Sequence, residues 1–281
     1  MPSHVLLAVD FGESAELGRA DAARIARAYA AKLHLVHAEH AVPRSEASSK
    51  AQKAHTRELF DAWQRELGAL GAHVDSVDLM RGSAAESILD AAKRRDADLI
   101  VLGAGDRFDP GTGAERTVET LARFAPQPVW VSRPRARPEI SRVLVAFDGS
   151  AGARAALDWA AELARRLGAT LELAQIFEHP SFVPGTPPSA ELEAHAEACR
   201  ERYALGLSSA DLDASSAVQH RAWGFAHQVL SELVQSRAID LLVLGRTGKG
   251  GLRHVFLGST GELLLRSVGS SLLLAQPAPG S

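Results

Sequence analysis

Residues 240–260 run Asp240-Leu241-Leu242-Val243-Leu244-Gly245, then a glycine-rich stretch with Gly248, Gly250 and Gly251, then Gly258-Ser259-Thr260. An apolar run without alternation reads as a strand buried on both faces. Glycines directly after it read as a loop in which main chain lies open to close approach. A serine and a threonine after Gly258 read as the start of a helix. The same strand occurs earlier as Asp98-Leu99-Ile100-Val101-Leu102-Gly103. Working outward, residues 3–40 align without a gap to residues 141–178, with Val5-Leu6-Leu7-Ala8-Val9-Asp10 over Val143-Leu144-Val145-Ala146-Phe147-Asp148. A repeat of about 140 residues is too long for a solenoid unit and reads as a duplicated domain.

The 281 residues suit two domains. Expected boundaries are 1–133 and 141–281, joined by 134–140, where Pro134, Arg135, Arg137 and Pro138 deny the chain a helix or central strand. Net charge is -3, so no broad basic surface suits nucleic acid or an anionic membrane. Hydrophobic residues at 46% and charged residues at 23% exclude a disordered or collagen-like chain. No stretch approaches a membrane span, and the N-terminal apolar run stops at Asp10, so a soluble cytoplasmic protein is expected. Cys199 stands alone in a helical pattern and reads as a packed residue rather than a catalytic thiol.

Each half alternates apolar runs with helical patterns. In the second half strands are expected at 142–147, 170–177, 215–222, 240–244 and 270–275. Helices are expected at 151–167, 189–207, 225–237 and from about 259, the first stopped by Gly168. The first half repeats this order, with strands near 4–9, 33–38, 73–80, 98–103 and 128–132. That pattern predicts α/β architecture: two tandem open, doubly wound domains, each a five-stranded parallel sheet flanked by helices.

Ligands of such sheets bind beyond the carboxyl ends of the strands, where strand order reverses. Asp148 ends one strand there, and the 245–260 loop follows another. The N–H groups of such a loop and of a helix N-terminus stabilise an anion. Arg246, Lys249 and Arg253 add positive charge, and the hydroxyls of Ser259 and Thr260 either cap the helix or donate to phosphate oxygens. Asp148, an acceptor, suits an amino group or a hydroxyl at the other end of a ligand. The loop is no Walker loop, since no Gly-Lys-Ser/Thr follows four spacers, and no dinucleotide fingerprint, since its glycines follow the fourth strand.

Gly245-x2-Gly248-x9-Gly258-Ser259 after Asp-Leu-Leu-Val-Leu-Gly, with Val143-Leu144-Val145-Ala146-Phe147-Asp148-Gly149-Ser150 at the domain start, resembles the universal stress protein family over nearly the whole chain, as a tandem pair. The resemblance implies an adenine nucleotide alpha hydrolase-like fold and a site for ATP, ADP or AMP, with or without Mg2+. It places Ala146, Phe147 and Asp148 beside the adenosine, and Ile176 and Leu244 along the base pocket. Gly245, Arg246 and Gly248 would wrap ribose and phosphates, and Gly258, Ser259 and Thr260 would hold the phosphate chain. Family dimers pair through their last strands. The resemblance thus implies that Val129-Trp130-Val131 pairs with Leu272-Leu273-Leu274 within the chain, with a homodimer as an alternative assembly and a regulatory protein partner left open.

The first half keeps Asp10 but departs in the loop. Asp106 stands where the second glycine belongs, Arg116 where the third belongs, and Thr117 in the serine place. A carboxylate repels phosphates, so this half is expected not to bind ATP and to serve structure or pairing. Gly105, Gly111 and Gly113 leave room for another ligand. His34, His37 and His40 do not make a metal set by spacing, since on a strand His34 and His37 face opposite ways. Charges along 46–67 read as a solvated face, and Trp63 and Trp159 as core or interface, while Trp223 stands near the crevice rim without an assigned role. The leading function is a stress-response binding module that holds an adenine nucleotide in the second half. The alternatives are a slow ATPase or phosphotransferase, with His254 as the nearest base, and an interaction scaffold with a vestigial pocket.

Overall fold

The computed structural model describes residues 1–39, 46–105, 113–135, 138–179, 181–208, 217–247 and 257–276. Two compact units result: one holds β1 to β5 with most of α4, and the other holds β6 to β10 together with Ala122–Pro128, the end of α4 and the turn after it.

In the first unit the order is β1 (His4–Ala8), α1 (Glu13–Tyr29), β2 (Lys32–Glu39), α2 (Glu46–Ala69), β3 (Val74–Arg81), α3 (Ala84–Arg94), β4 (Leu99–Gly103), α4 (Gly113–Phe124) and β5 (Val129–Ser132). Its strands lie in the order β3-β2-β1-β4-β5, every pair parallel. In the second unit the order is β6 (Arg142–Ala146), α5 (Ala151–Leu167), β7 (Thr170–Phe177), α6 (Ala190–Ser208), β8 (Val218–Trp223), α7 (Ala226–Ser236), β9 (Leu241–Gly245), α8 (Ser259–Ser267) and β10 (Ser271–Ala275). These strands run β10-β9-β6-β7-β8, again parallel. The predicted α/β class, with five parallel strands in each unit, is therefore what the chain forms. Strand order reverses between β1 and β4 and between β6 and β9, which sets a crevice at the carboxyl ends of those pairs.

Residue choice explains these elements. Leu99–Leu102 and Leu241–Leu244 are buried throughout, as central strands covered by helices on both faces must be. Helix α5 starts where the Ser150 hydroxyl accepts from the Ala153 N–H at 3.1 Å and stops at Gly168, whose φ of 66° is left-handed. Between them Ala156, Leu157, Ala160, Leu163 and Ala164 form the buried face. In both units an aspartate just before the fourth strand clamps the start of the first. Asp98 Oδ2 accepts from the main-chain N–H groups of Ser3 and His4 at 2.7 and 2.9 Å, and Asp240 Oδ2 from those of Ser141 and Arg142 at 2.8 and 3.0 Å. Burial pushes the Asp98 carboxyl up, but the hydrogen bonds from Ser3 and His4 outweigh it and hold the pKa below the usual value. Trp130 is fully buried, and its indole N–H donates to the buried Asp21 carboxylate at 3.0 Å. Trp63 is core, Trp159 is half-buried, and the predicted solvated face of α2, with Lys50, Lys53, Arg57, Glu58 and Arg65, is exposed.

Candidate functional site

The crevice of the second unit is built on a turn that the sequence specifies locally. Asp148 Oδ1 accepts from the Ser150 N–H at 2.9 Å, closing a turn through Gly149, whose φ is +81°. A Cβ at Gly149 would lie 2.9 Å from Arg202 Cγ, so glycine there serves both conformation and space. Asp148 Oδ2 takes no hydrogen bond among the described residues. Ala146, Asp148 and Ile176 are half-buried and border the crevice; Phe147 and Leu244 are buried in the core beneath it.

Below Ile176 lies an aromatic floor that sequence reading did not find. Tyr203, on α6, donates its hydroxyl to the Ile176 carbonyl at 3.1 Å. Its ring stacks near-parallel with Phe177 at 6.1 Å and meets Phe147 at a 60° tilt. Burial first, then the neighbouring Cys199, pushes the Tyr203 pKa up, so its hydroxyl remains a donor. Cys199 is buried and packed, with Arg202 donating to its sulfur at 3.0 Å. Trp223 packs against Phe177 and Phe182. These contacts join residues scattered over β6, β7, α6 and β8, and no local spacing announces them.

At the end of β9 the glycines have a packing reason. A Cβ on Gly245 would sit 2.3 Å from the Gly152 carbonyl carbon, and one on Gly152 would sit 2.2 Å from the Thr247 carbonyl oxygen. The strand end and the first turn of α5 therefore cross main chain on main chain. The guanidinium of Arg246, a residue the resemblance places around ribose and phosphates, donates to the Ala125 carbonyl, and burial draws its pKa below the usual arginine value. Only its main chain borders the crevice. Arg246 N–H donates to Ala275 O at 2.9 Å, and Arg246 O accepts from Gly258 N–H at 3.0 Å. That last bond sets the start of α8 against the end of β9. Gly258 is the N-cap and supplies no side-chain cap bond, and neither do Ser259 and Thr260. Ser259 is exposed and Thr260 half-buried. The first-turn N–H groups of Ser259, Thr260 and Gly261 have no acceptor among the described residues. Gly248, Lys249, Arg253 and His254 lie outside the described residues.

The first unit repeats the turn and the crossing, but its fourth helix begins at a different place in the repeat. Asp10 Oδ1 accepts from Gly12 N–H at 2.9 Å, and a Cβ on Gly103 would lie 1.7 Å from Ser14 O. Helix α4 starts at Gly113, so Thr117 lies a full turn inside it, and its hydroxyl donates to Gly113 O at 2.9 Å. Arg116 is exposed; Asp106 and Gly111 lie outside the described residues. This unit nevertheless holds a cavity of about 470 Å³ at the carboxyl ends of β1, β2 and β4. His34 bonds His4 at 2.9 Å and Ser76 at 2.7 Å, while His37 donates from Nδ1 to Val9 O at 2.6 Å; His40 lies outside the described residues.

Strand order, crossing glycines and an uncapped helix start together define a class: a duplicated parallel α/β domain with its site at the topological switch point. The model of the universal stress protein family matches residues 1–133 and again 139–276, and the chain belongs to that family. It is 27% identical to universal stress protein Slr1230 of Synechocystis sp. over 206 residues, 72% of this chain and 66% of that protein. Identity to universal stress protein E of Escherichia coli K12 is 24% over 171 residues, 56% of this chain and 53% of that protein. The chain thus spans between about half and two thirds of these relatives' length. A crystal structure of a universal stress protein from Archaeoglobus fulgidus superposes with a TM-score of 0.73 at 15% identity, covering 98% of this chain and 99% of that one, which speaks to the fold. Among the described residues no helix is long and apolar enough to cross a membrane.

Proposed function

We propose that the second unit binds an adenine nucleotide and that the chain acts as a stress-response binding module, passing nucleotide occupancy to a protein partner. The observation that carries this reading is the pairing of an open acceptor with open donors at one switch point: Asp148 Oδ2 by β6, and the first-turn N–H groups of α8 beside β9. The residues fit an adenylate. Asp148 would accept from a ribose hydroxyl or the adenine amino group, and Ala146 and Ile176 would border the base. The N–H groups and hydroxyls of Ser259 and Thr260 would hold phosphate oxygens with the help of the helix dipole. Among the described residues no group of three His, Cys, Asp or Glu side chains is placed to hold a metal ion, so Mg2+, when it accompanies the nucleotide, would ride on phosphate oxygens and water.

Mass spectrometry of small molecules released from the freshly purified full chain tests the reading. An adenylate is the expected species. Asp148→Ala should weaken ATP binding by about tenfold, the cost of one charged hydrogen bond. An ATP turnover assay with and without Mg2+ separates holding the nucleotide from hydrolysing it. A chain that carries no adenylate and binds none at millimolar concentration would overturn the proposal.

A further inference from the structure

The cavity of the first unit has a chemistry of its own, independent of the nucleotide site. Its volume of about 470 Å³ lies within the roughly 300–1,000 Å³ typical of small-molecule sites. Ala8, Val36, Ala38, Ile88 and Leu102 supply apolar wall. Glu39 also lines it, is only 6% exposed, and leaves Oε1 buried without a hydrogen-bond partner. The other oxygen, Oε2, has Arg81 at 3.9 Å, beyond hydrogen-bond reach. A buried carboxylate oxygen without a donor is costly, and a donor brought by a ligand to this carboxylate would relieve that cost.

Among the side chains on the wall the remaining polar groups are acceptors too, while the main chain of Gly113 and Ala114 at the start of α4 also borders the cavity. His37 spends its Nδ1 hydrogen on the Val9 carbonyl, and Nε2 can accept a hydrogen bond when it carries no proton. Thr117 has spent its hydroxyl hydrogen on Gly113 O. Asp10 adds a second carboxylate, Gln52 an adaptable amide, and among the described residues no lysine or arginine lines the cavity. The absence of any group of three metal-ligating side chains among the described residues turns the reading from a metal ion to an organic ligand. Residue 39 falls on Phe177 in the aligned second half, so the charge is particular to this unit.

We infer that the first unit binds a small organic cation, an ammonium, amidinium or guanidinium group on an apolar body, with Glu39 accepting its N–H hydrogens inside the cavity. Apolar wall takes the body of the ligand, and the two carboxylates reject anions.

Calorimetric titration of the full chain with benzamidine, benzamide and benzoate tests this, since the three are similar in shape and differ in charge. Benzamidine should bind once per chain, with benzamide about tenfold weaker and benzoate undetected. Glu39→Gln should weaken benzamidine by about tenfold or more while the thermal transition persists. Ala38→Leu, which fills the cavity, should abolish binding, and saturating ATP should not displace the ligand. Benzoate binding as well as benzamidine, no cation binding at millimolar concentration, an unchanged affinity in Glu39→Gln, or competition by ATP would each overturn the inference.

Discussion

The two crevices share a frame and differ in chemistry. Asp10 and Asp148 close the same turn, Gly103 and Gly245 make the same main-chain crossing, and Asp98 and Asp240 clamp the same strand start. What differs is where the fourth helix begins and what stands at the end of the second strand. Helix α8 opens at Ser259 with no side-chain cap, whereas α4 opens at Gly113 and carries the equivalent Thr117 inside it, bonded to its own backbone. Strand β2 ends on buried Glu39 and β7 on buried Phe177. Duplication thus kept the groups that hold the fold and let groups at the crevice diverge.

Perturbing shared parts should hurt both units alike. The largest effect is expected at the crossing. Gly103→Ala and Gly245→Ala each place a methyl inside main-chain contact distance, and each should cost about 3 kcal/mol or more in urea unfolding. A cost below about 1 kcal/mol at either would show that the two crossings are not equivalent. Next come the clamps: Asp98→Ala and Asp240→Ala each orphan two N–H groups and should cost about 1–3 kcal/mol apiece.

Acid should separate the units. Residue 34 aligns with residue 172, and a buried histidine in one unit stands where a buried glutamate stands in the other. Burial, resisted by Asp75 and reinforced by His4, lowers the His34 pKa below 6.5. The unfolded chain then binds the extra proton, so stability from His34 is present above 6.5 and drains as pH falls below it. Burial raises the Glu172 pKa, but His220 at 2.6 Å and Arg237 at 3.2 Å outweigh it and hold it below 4.5. Its contribution is present above 4.5 and is lost only as pH falls through the lowered value. Hydrogen exchange, corrected for intrinsic rate, should show β1 and β2 losing protection as pH falls below 6.5 while β6 and β7 still keep theirs. Simultaneous loss would remove the distinction. The smallest effect is expected at the helix starts: Ser150→Ala should cost about 1 kcal/mol through the lost cap on α5, while α1, capped by Gly12 without a side-chain bond, has no such bond to lose.

Most of the fold was legible because its signals are local. The strands are apolar runs and the repeat places them twice. Helix α5 matched its predicted limits, 151–167, because Ser150 and Gly168 punctuate it. Site residues divide by the same criterion. Asp148 could be read as the last residue before a turn, and Ser259 as a helix start. The packing role of Gly245 could not, because it depends on Gly152 from another element. The charge of Arg246 is visible in sequence, but the acceptor of its guanidinium, Ala125 O, is 121 residues away and is not. Tyr203 beneath Ile176 and the unpartnered oxygen of Glu39 were invisible for the same reason: burial and partnership are tertiary facts.

The central claim is that nucleotide binding resides at the start of α8 and has been lost from α4. Titrating ATP into the full chain and into Ser259→Glu and Thr117→Glu tests it most directly. One ATP per chain is expected, weakened by about tenfold or more when a carboxylate faces the phosphates at residue 259 and unchanged when it is placed at residue 117. Loss of binding in Thr117→Glu with Ser259→Glu unaffected would contradict the account.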